Sequence, residues 1–376
     1  MKKIAIFTGY YLPHTGGVER YVCNLAKELR KLNNEVIIIT TKHEENLKQT
    51  EDLGYAKIYR MPIYSLFSSR YPIIKKNKEY YKLMKKLEQE KIDSIILNTR
   101  FHLTSLIGAK FAKSHNLPAC VIEHGSTHFT VYNKLLDILG HIYEHALTNK
   151  MKKLVKDYYG VSLKCNSWLS HFKIEAKGVF YNSIDENEYE TYKTSNYKKC
   201  ENGKTIITYV GRMIKEKGIL EIIDAYEQLK EKNNTQLIIA GDGPLLKELE
   251  GKKLNKNILL AGKLNHDEVM GLLNKTDIFV HPSSFAEGMP TSILEAGLMK
   301  CAIVATPAGG TAEVINKKEL GIICEPTVES IKKGLQYYLE NEEKRKQTAE
   351  NLHIRVKENF TWKVTAKNIA NEIKYL

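Results

Sequence analysis

Apolar and polar residues follow one another along the chain in two repeating patterns, one typical of buried strands and the other of amphipathic helices. Short runs rich in Val, Ile and Tyr are separated by stretches with an apolar residue at every third or fourth position. The helix predicted at 18–31, for example, has Val22, Leu25 and Leu29 on one stripe. The pattern predicts strands at 3–8, 35–41, 56–61, 94–98, 119–123, 158–162, 179–181, 205–210, 236–240, 258–261, 277–281, 302–306 and 321–324.

A polar segment rich in Tyr, Lys and Asn, residues 185–204, separates two series of these elements and is typical of a linker. The alternation begins again after it, so we predict an α/β protein with two doubly wound, Rossmann-like domains facing each other. We expect an N-terminal domain at 1–185 and a C-terminal domain at 186–360. A last helix at 361–376 follows the elements that the second sheet requires, and it could return to the first domain.

Composition indicates a globular protein, because 43% of the 376 residues are hydrophobic and 27% are charged. Six scattered cysteines, with no CxxC pair, favour reduced thiols and a cytoplasmic location. No apolar run approaches the length of about 18 residues that a membrane span requires. We expect the apolar start of the chain to be a first strand rather than a signal peptide.

The formal net charge of +13 raises the question of an anionic partner. No zinc-finger, RNA-recognition or helix-turn-helix pattern accompanies it, so we expect no nucleic acid partner. The basic excess is dense at 60–91 and at 150–177, where Lys and Arg mix with Tyr, Leu, Ile and Phe. Such stretches fit an anionic membrane surface, and they fit a solvated lysine-rich face equally well.

The clearest chemical pattern lies in residues 281–311, where a strand, a loop, a helix predicted at 291–299 and a second strand form a βαβ unit. The right-handed crossover of such a unit places its loop at the carboxyl edge of a parallel sheet, where ligands bind. Glu287 lies in this loop and is followed by Gly288, Met289, Pro290 and Thr291. The amides at the helix start predict a cradle for phosphate or sugar oxygens.

A second carboxylate, Glu295, follows Glu287 by eight residues. Carboxylates accept hydrogen bonds from vicinal hydroxyl groups, so the two together suit a sugar and a ribose. Glu295 also fits a capping box that begins at Ser292, in which it would only satisfy its own helix. Local chemistry leaves both interpretations open.

Two cations follow the strand predicted at 205–210. Arg212 comes directly after Gly211, and Lys217 with Gly218 precedes the next helix. An Arg fork and a Lys charge beside a helix N-terminus favour a diphosphate site, although two ordinary surface cations would give the same pattern. The turn Gly241-Asp242-Gly243, after the next strand, is more typical of a tight turn than of ligand contact.

The N-terminal half offers two weaker candidates. Gly16 and Gly17 precede the helix at 18–31, where bare amides could approach a ligand. His124 follows the strand at 119–123 and could meet a ligand there, or be a loop histidine satisfied within the fold.

The run His141-Ile142-Tyr143-Glu144-His145 matches the HxxEH pattern of one class of metalloproteases. The sequence identifies no third ligand, so we do not expect zinc hydrolysis.

The motifs together resemble the retaining glycosyltransferases of family 4, which have the GT-B fold and an E-x7-E motif. The likeness extends over nearly the whole chain and rests on GGVERYVCNLAKEL, EHGS, YNSID, VGRMIKEKG, IAGDGP, FAEGMPTSILEAGLMKCAIVATPAGGTAEVI and FTWKVTAKNIANEI. The resemblance implies two Rossmann-like domains facing each other across a cleft.

The resemblance also implies a role for each candidate. Arg212 and Lys217 would hold the nucleotide diphosphate and stabilise it as it departs. Glu295 would bind the ribose hydroxyls, and Glu287 with the main chain of residues 288–291 would hold the donor sugar and distal phosphate. The Gly16–Gly17 loop would close over the phosphates, His124 would touch the sugar, and Leu264 would contact the base through its main chain.

The implied reaction is front-face substitution with retention, in which the departing phosphate accepts the acceptor's proton. It needs no carboxylate nucleophile, unlike a glycosidase. We expect no cofactor and no metal, because Arg212 and Lys217 would take the place of Mg²⁺.

We therefore expect a hexosyltransferase that uses a nucleotide-sugar donor, UDP more than GDP, in the synthesis of cell-surface polysaccharide or glycoconjugate. Its acceptor would be a glycan or a lipid-linked molecule, and its location the cytoplasm, with peripheral binding to the inner face of the membrane. The alternatives are a nucleotide-sugar 2-epimerase on the same fold and a non-catalytic subunit that binds nucleotide sugars.

Overall fold

The structure is a computed structural model that describes residues 1–64, 71–130, 133–230 and 232–375, and it divides into two compact units. Unit 1 comprises Met1–Asn182 and Trp362–Leu376, and unit 2 comprises Ser183–Thr361. Residue 376 of the predicted closing helix lies outside the described residues. No helix in the described ranges is long and apolar enough to cross a membrane.

Strands and helices alternate along much of the chain, except that the strands at 35–74 and the helices at 328–375 are consecutive. The strands are β1 (Lys3–Phe7), β2 (Glu35–Thr41), β3 (Thr50–Asp52), β4 (Lys57–Met61), β5 (Ile63–Tyr64), β6 (Ile73–Ile74), β7 (Ser94–Asn98), β8 (Ala119–Glu123), β9 (Asp157–Gly160), β10 (Gly178–Val179), β11 (Thr205–Val210), β12 (Thr235–Ala240), β13 (Ile258–Gly262), β14 (Ile278–His281), β15 (Ala302–Ala305) and β16 (Ile322–Ile323). The helices are α1 (Gly17–Lys31), α2 (Lys78–Glu88), α3 (Leu103–Ser114), α4 (Lys134–Lys152), α5 (Leu163–His171), α6 (Glu188–Tyr192), α7 (Ile219–Glu227), α8 (Pro244–Glu250), α9 (His266–Leu273), α10 (Thr291–Leu298), α11 (Thr311–Val314), α12 (Val328–Glu340), α13 (Glu342–Asn359) and α14 (Trp362–Tyr375).

Unit 1 is built on an eight-stranded sheet in the order β10-β9-β8-β7-β1-β2-β4-β3. All neighbours pair in parallel except β3, which runs antiparallel to β4 at the edge. The central strands β1 and β7 are buried almost along their whole length, so they read as continuous apolar runs. The β5–β6 pair forms a separate small ribbon.

The last helix, α14, packs within unit 1 rather than on the unit that precedes it in the chain. Trp362 contacts Tyr21 of α1 edge to face, with 5.0 Å between the ring centroids. Thr365 donates a hydrogen bond to the carbonyl of Tyr181, and Tyr159 donates one to the carboxylate of Glu372. The helix thereby covers an apolar face of α1.

Unit 2 is built on a six-stranded sheet in the order β13-β12-β11-β14-β15-β16, parallel throughout. Counted from β11, this is the 3-2-1-4-5-6 order of the Rossmann fold. The core is the buried apolar face of these strands with the helices that cover it, among them α7 and α12. The prediction of an α/β protein with two Rossmann-like domains is confirmed.

The interpretation of residues 185–204 as a linker is wrong. Helix α6 lies in this segment, and Tyr197 is buried in an apolar cluster with Ile206, Ile238 and Leu272. The segment is polar because most of it lies on the surface of unit 2, where Tyr192 donates a hydrogen bond to Asp267 and Asn274 donates one to the carbonyl of Ser195.

We predict that Trp362→Ala will destabilise unit 1 by about 3–5 kcal/mol, the usual cost of deleting a large buried aromatic ring. Trp362 is 5% exposed and packs against Tyr21. Urea unfolding followed by far-UV circular dichroism measures the change. Lys367→Ala, an exposed position on the same helix, is the control and should be neutral. Equal stability of the two variants would mean that α14 is not anchored through Trp362.

Candidate functional site

The strand order of unit 2 brings the ends of β11 and β14 together, although about seventy residues of chain separate them. β11 pairs with β12 on one side and with β14 on the other. The connections after β11 therefore lead to one side of the sheet, and those after β14 lead to the other. This is the switch point of an open parallel sheet, where a crevice forms at the carboxyl ends of the strands. Arg212 and Lys217 follow β11, and Glu287 follows β14.

The ammonium group of Lys217 is paired with the carboxylate of Glu287. Its Nζ lies 2.8 Å from Glu287 Oε1, and Lys217 as a whole is only 6% exposed. The same oxygen accepts a hydrogen bond from Nε2 of His281, at 2.9 Å. Glu287 therefore joins the loop after β14 to the turn after β11.

Glu287 is a strongly acidic group in this setting. Burial opposes its ionisation, but the hydrogen bond from His281 and the charge of Lys217 outweigh burial and lower the pKa of Glu287 to about 2. The carboxylate is therefore ionised at neutral pH. The ion pair with Lys217 is present wherever the protein would be assayed.

The Phe285 ring contacts both cations that follow β11. The guanidinium carbon of Arg212 is 5.0 Å from the centre of the Phe285 ring, and Lys217 Nζ is 5.5 Å from it. Arg212 is exposed and forms no salt bridge within the described residues. The ring thus holds an unpaired guanidinium close to a paired ammonium, as cation–π contacts do.

The turn after β11 is fitted closely to the loop after β14. Gly218 has φ +72°, and a Cβ atom there would lie 2.5 Å from the carbonyl oxygen of Pro282. The amides of Ser284 and Phe285 both donate to the carbonyl of Glu216. Glycine is required at 218 for both its conformation and this close approach.

The loop after β15 supports Glu287 from the other side. The amide of Gly310 donates to the carbonyl of Gly288 at 2.9 Å. Gly309 has φ +56°, and a Cβ atom there would lie 2.8 Å from the carbonyl oxygens of Glu287 and Gly288. The loops after β14 and β15, both in the predicted βαβ unit, therefore meet at Glu287, the carboxylate selected from the sequence.

Helix α10 begins at Thr291, with Pro290 as its N-cap and no side-chain cap. Ser292 is inside the helix, so the capping-box interpretation of Glu295 is wrong. Glu295 lies in the second turn and is 9% exposed. Its expected contact with ribose hydroxyls remains a prediction, as do the ligand contacts of residues 288–291.

Leu264 follows β13 and packs on the small cluster around Tyr197. Between β11 and β13, the carbonyl of Asp242 accepts a hydrogen bond from the amide of Met213. The 241–243 turn thus braces the segment that carries Arg212, in keeping with its interpretation as a tight turn. The predicted main-chain contact of Leu264 with a base stays a prediction.

In unit 1, Gly16 is the N-cap of α1 and Gly17 is its first residue, without a side-chain cap. His124 follows β8 and lies next to the end of β7, where its Nε2 is 2.9 Å from Oδ1 of Asn98. Burial lowers the pKa of His124 to about 4, so its ring is neutral at pH 7. One ring nitrogen is engaged within unit 1, as the interpretation of a satisfied histidine expects.

Two residues of the unit 2 site were missed by the sequence reasoning, His281 and Phe285. His281 is 1% exposed, and its Nδ1 has no hydrogen-bond partner among the described residues. It was seen only as the end of a strand, and Phe285 only as a loop residue. What the sequence could not show was that His281 contacts Glu287 and that the Phe285 ring lies beside Lys217.

Comparison with known protein families gives two matches that together include most of the chain. The model of the glycosyltransferase family 4 matches residues 15–188, and the model of the glycosyl transferases group 1 matches residues 193–354. The division between them falls close to the start of unit 2 at Ser183.

Individual proteins resemble the chain over most of its length. It is 29% identical to MJ1069 of Methanocaldococcus jannaschii, an uncharacterized glycosyltransferase, over 97% of this chain and 96% of that one. It is 24% identical to the GPI3 subunit of phosphatidylinositol N-acetylglucosaminyltransferase of Saccharomyces cerevisiae, over 86% and 72%. The crystal structure of Anabaena Alr3699/HepE with UDP-glucose superposes with a TM-score of 0.70 at 18% identity, covering both chains completely.

We predict that unit 2 will lose stability in acid through Glu287. Its pKa of about 2 lies below the ordinary value of 4.5, so the ionised group stabilises the fold above about pH 4.5, and this contribution is lost as the pH falls toward 2. Between pH 7 and pH 3, the free energy of unfolding of the wild type should therefore fall by about 2 kcal/mol more than that of Glu287→Gln. Urea unfolding at each pH measures this, with the exposed Glu216→Gln as control. A Glu287→Gln profile that parallels the wild type would contradict the assignment.

Proposed function

Because the chain belongs to the glycosyltransferases of family 4, we propose that it moves a hexose from a nucleotide-diphosphate sugar to a glycan or lipid-linked acceptor, with retention at the anomeric carbon. The observation that carries the proposal is the pair of cations, Arg212 and Lys217, at the switch point of the sheet in unit 2. One of them is exposed and unpaired within the described residues, and the other is held by Glu287.

The donor's diphosphate is the group that this pair suits. Arg212 can form two parallel hydrogen bonds to phosphate oxygens. Lys217 adds a positive charge, and its ion pair with Glu287 sets the position of the ammonium group. The N-terminus of α7 directly follows Lys217 and Gly218, and its amides add a favourable field for an anion. Glu287 positions Lys217 and, in this proposal, also binds a hydroxyl group of the sugar.

The chemical step exchanges one bond for another on the same face of the sugar. The bond between the anomeric carbon and the phosphate oxygen breaks, while the acceptor oxygen forms the new glycosidic bond. The acceptor's proton passes to the departing phosphate. Arg212 and Lys217 stabilise the charge that develops on the diphosphate, which is how such sites lower a barrier. In this scheme they do the work of a divalent metal, and the reaction needs none.

UDP is proposed before GDP as the carrier, which the crystallised complex of Alr3699/HepE with UDP-glucose supports. A lipid-linked acceptor is supported by the similarity to the GPI3 subunit, whose name describes transfer of N-acetylglucosamine to phosphatidylinositol.

A membrane surface is proposed as the place of reaction because of helix α4. Its first half exposes apolar side chains, with Leu135 75%, Leu139 63% and Ile142 62% exposed. These recur at i, i+4 and i+7 and form one stripe, while Glu144 on the opposite face is buried. Exposed lysines, Lys134 and Lys150, lie at the two ends of the helix. An apolar stripe with basic ends suits the surface of an anionic bilayer.

The basic stretches add to this charge, and 150–177 begins within α4 itself. Residues 65–70 of the stretch 60–91 lie outside the described residues. Within the rest of that stretch, α2 carries exposed Lys78, Lys82 and Lys85 beside exposed Tyr81. We propose peripheral association with the inner face of the cell membrane.

We predict that Lys217→Ala will reduce the rate of nucleotide release from the donor by at least 100-fold, or about 3 kcal/mol or more of barrier, because an interaction with the leaving group is lost. Glu287→Ala should have a comparable effect, since it leaves Lys217 unpaired and removes the sugar contact. Release of UDP or GDP from a panel of nucleotide sugars, in EDTA and without acceptor, measures the rate. Lys215→Ala, an exposed lysine two residues away, is the control.

The same assay separates the alternatives. Nucleotide release that survives EDTA supports the transferase, whereas interconverted sugar nucleotide would indicate the epimerase. Tight donor binding without turnover would indicate a binding subunit. Wild-type turnover in Lys217→Ala would remove this residue from the site.

We predict that Leu139→Ser combined with Ile142→Ser will weaken binding to phosphatidylglycerol-rich vesicles about tenfold or more, because two inserted apolar side chains are lost. Co-sedimentation measures binding, which should also fall as the salt concentration rises. Ile354→Ser, an exposed apolar position in unit 2, is the control. Unchanged binding would exclude α4, and a wild-type dimer that the double variant abolishes would identify a protein interface instead.

A further inference from the structure

Three histidines from three separate elements converge in unit 1. His128 lies in the loop after β8, His145 in α4, and His171 at the end of α5. One ring nitrogen from each lies within 4.8 Å of the others. We propose that this cluster binds a transition-metal ion, Zn²⁺ in the first place, as a site separate from the transfer chemistry.

The distance between two of the rings fits a metal. Nε2 of His145 and Nε2 of His171 are 3.3 Å apart. With zinc–nitrogen bonds of about 2.0–2.1 Å, two ligands of a tetrahedral ion lie about 3.3–3.4 Å apart. One ring nitrogen of His128 lies within 4.8 Å of the other two, so a bound ion would draw the three nitrogens closer together.

His128 is oriented in the way that metal-binding histidines usually are. Its Nδ1 donates a hydrogen bond of 2.8 Å to Oε2 of Glu144. This carboxylate fixes the proton on Nδ1 and leaves the lone pair of Nε2 for a metal. Glu144 is itself 1% exposed and forms an ion pair with Arg100. The ligand therefore has a rigid, buried support.

The rings of the cluster pack against aromatic neighbours. Trp168 stacks on His171 with 4.7 Å between the centroids and contacts His128 edge to face at 4.8 Å. Phe172 packs against His145 at 4.7 Å. A cluster held in place before the ion arrives binds it at a lower entropic cost.

The donor set indicates which metals the site takes. Three imidazoles suit Zn²⁺, Ni²⁺ and Cu²⁺, whereas Mg²⁺ and Ca²⁺ prefer oxygen ligands. A fourth position would be filled by water. His128, His145 and His171 are half-buried or exposed, so an ion can enter from solvent.

The site is not the metalloprotease site that the HxxEH run suggested. His141 is not in the cluster and stacks on His128, with 4.1 Å between the centroids. Glu144 is engaged by Arg100 and His128, so it is not placed as a general base for a metal-bound water. The bound ion would instead tie the loop after β8 to α4 and α5. That loop also carries His124.

Metal titration of the full-length, untagged protein, stripped with chelator, tests the proposal. The wild type should bind one equivalent of Zn²⁺ in competition with a chromophoric chelator, and Co²⁺ should give the visible bands of a four-coordinate ion. His171→Ala and His145→Ala should each lower the affinity at least 100-fold. His115→Ala, an exposed histidine of the same unit outside the cluster, should bind as the wild type does.

A thermal arm provides a readout that does not depend on catalysis. Zn²⁺ should raise the Tm of the wild type and of His115→Ala, and leave that of His171→Ala unchanged, while Mg²⁺ should affect none of them. His171 is exposed, so its replacement should leave the fold intact, which circular dichroism verifies. The absence of stoichiometric Zn²⁺ binding, or equal affinity in His171→Ala, would mean that His145 and His171 only share a proton.

Discussion

The buried ammonium of Lys217 is the constraint on which the rest of the unit 2 site depends. A buried charge without a partner costs several kcal/mol, so a carboxylate must reach Lys217, and Glu287 does so from the next strand of the sheet. The loop after β14 must therefore fold back over the turn after β11. The close approaches at Gly218 and Gly309 follow from that requirement. The strand order β11–β14 makes the pairing possible, and the pairing then shapes both loops.

Unit 1 is organised around a buried charge in the same way. Arg100 is fully buried, and its two terminal nitrogens form ion pairs with Glu123 at the end of β8 and with Glu144 of α4. Glu123 also accepts hydrogen bonds from the amides of His124 and Gly125, and Glu144 accepts one from His128. One guanidinium thus holds the start of the loop after β8, the middle of α4, and a ligand of the proposed metal site. The histidine cluster and His124 are therefore both connected to Arg100, through Glu144 and Glu123 respectively.

The fold and the family could be predicted from the sequence because both depend on short, local patterns of residues. Strands such as 35–41, 94–98 and 205–210 have the bounds that their apolar runs indicate, and the family likeness is confirmed by the two family models. The partners of each side chain were harder to predict. His281, Phe285 and the meeting of His128 with His171 depend on which strands and helices become neighbours. The capping box at Ser292 failed because the N-cap is Pro290, two residues earlier, so Ser292 already lies inside the helix.

The charge balance of the unit 2 site bears on the proposed route of the proton. Arg212, Lys217 and Glu287 together leave one net positive charge, to which the amide dipoles at the start of α7 add about half a charge. A donor diphosphate brings about two negative charges, which these three side chains and the helix nearly neutralise, whereas a third charge would have no counterpart among them. If the acceptor's proton moves to the departing phosphate as the sugar leaves, that third charge never accumulates. A site with two cations, one of them already paired, is therefore suited to a reaction in which the leaving group is its own base.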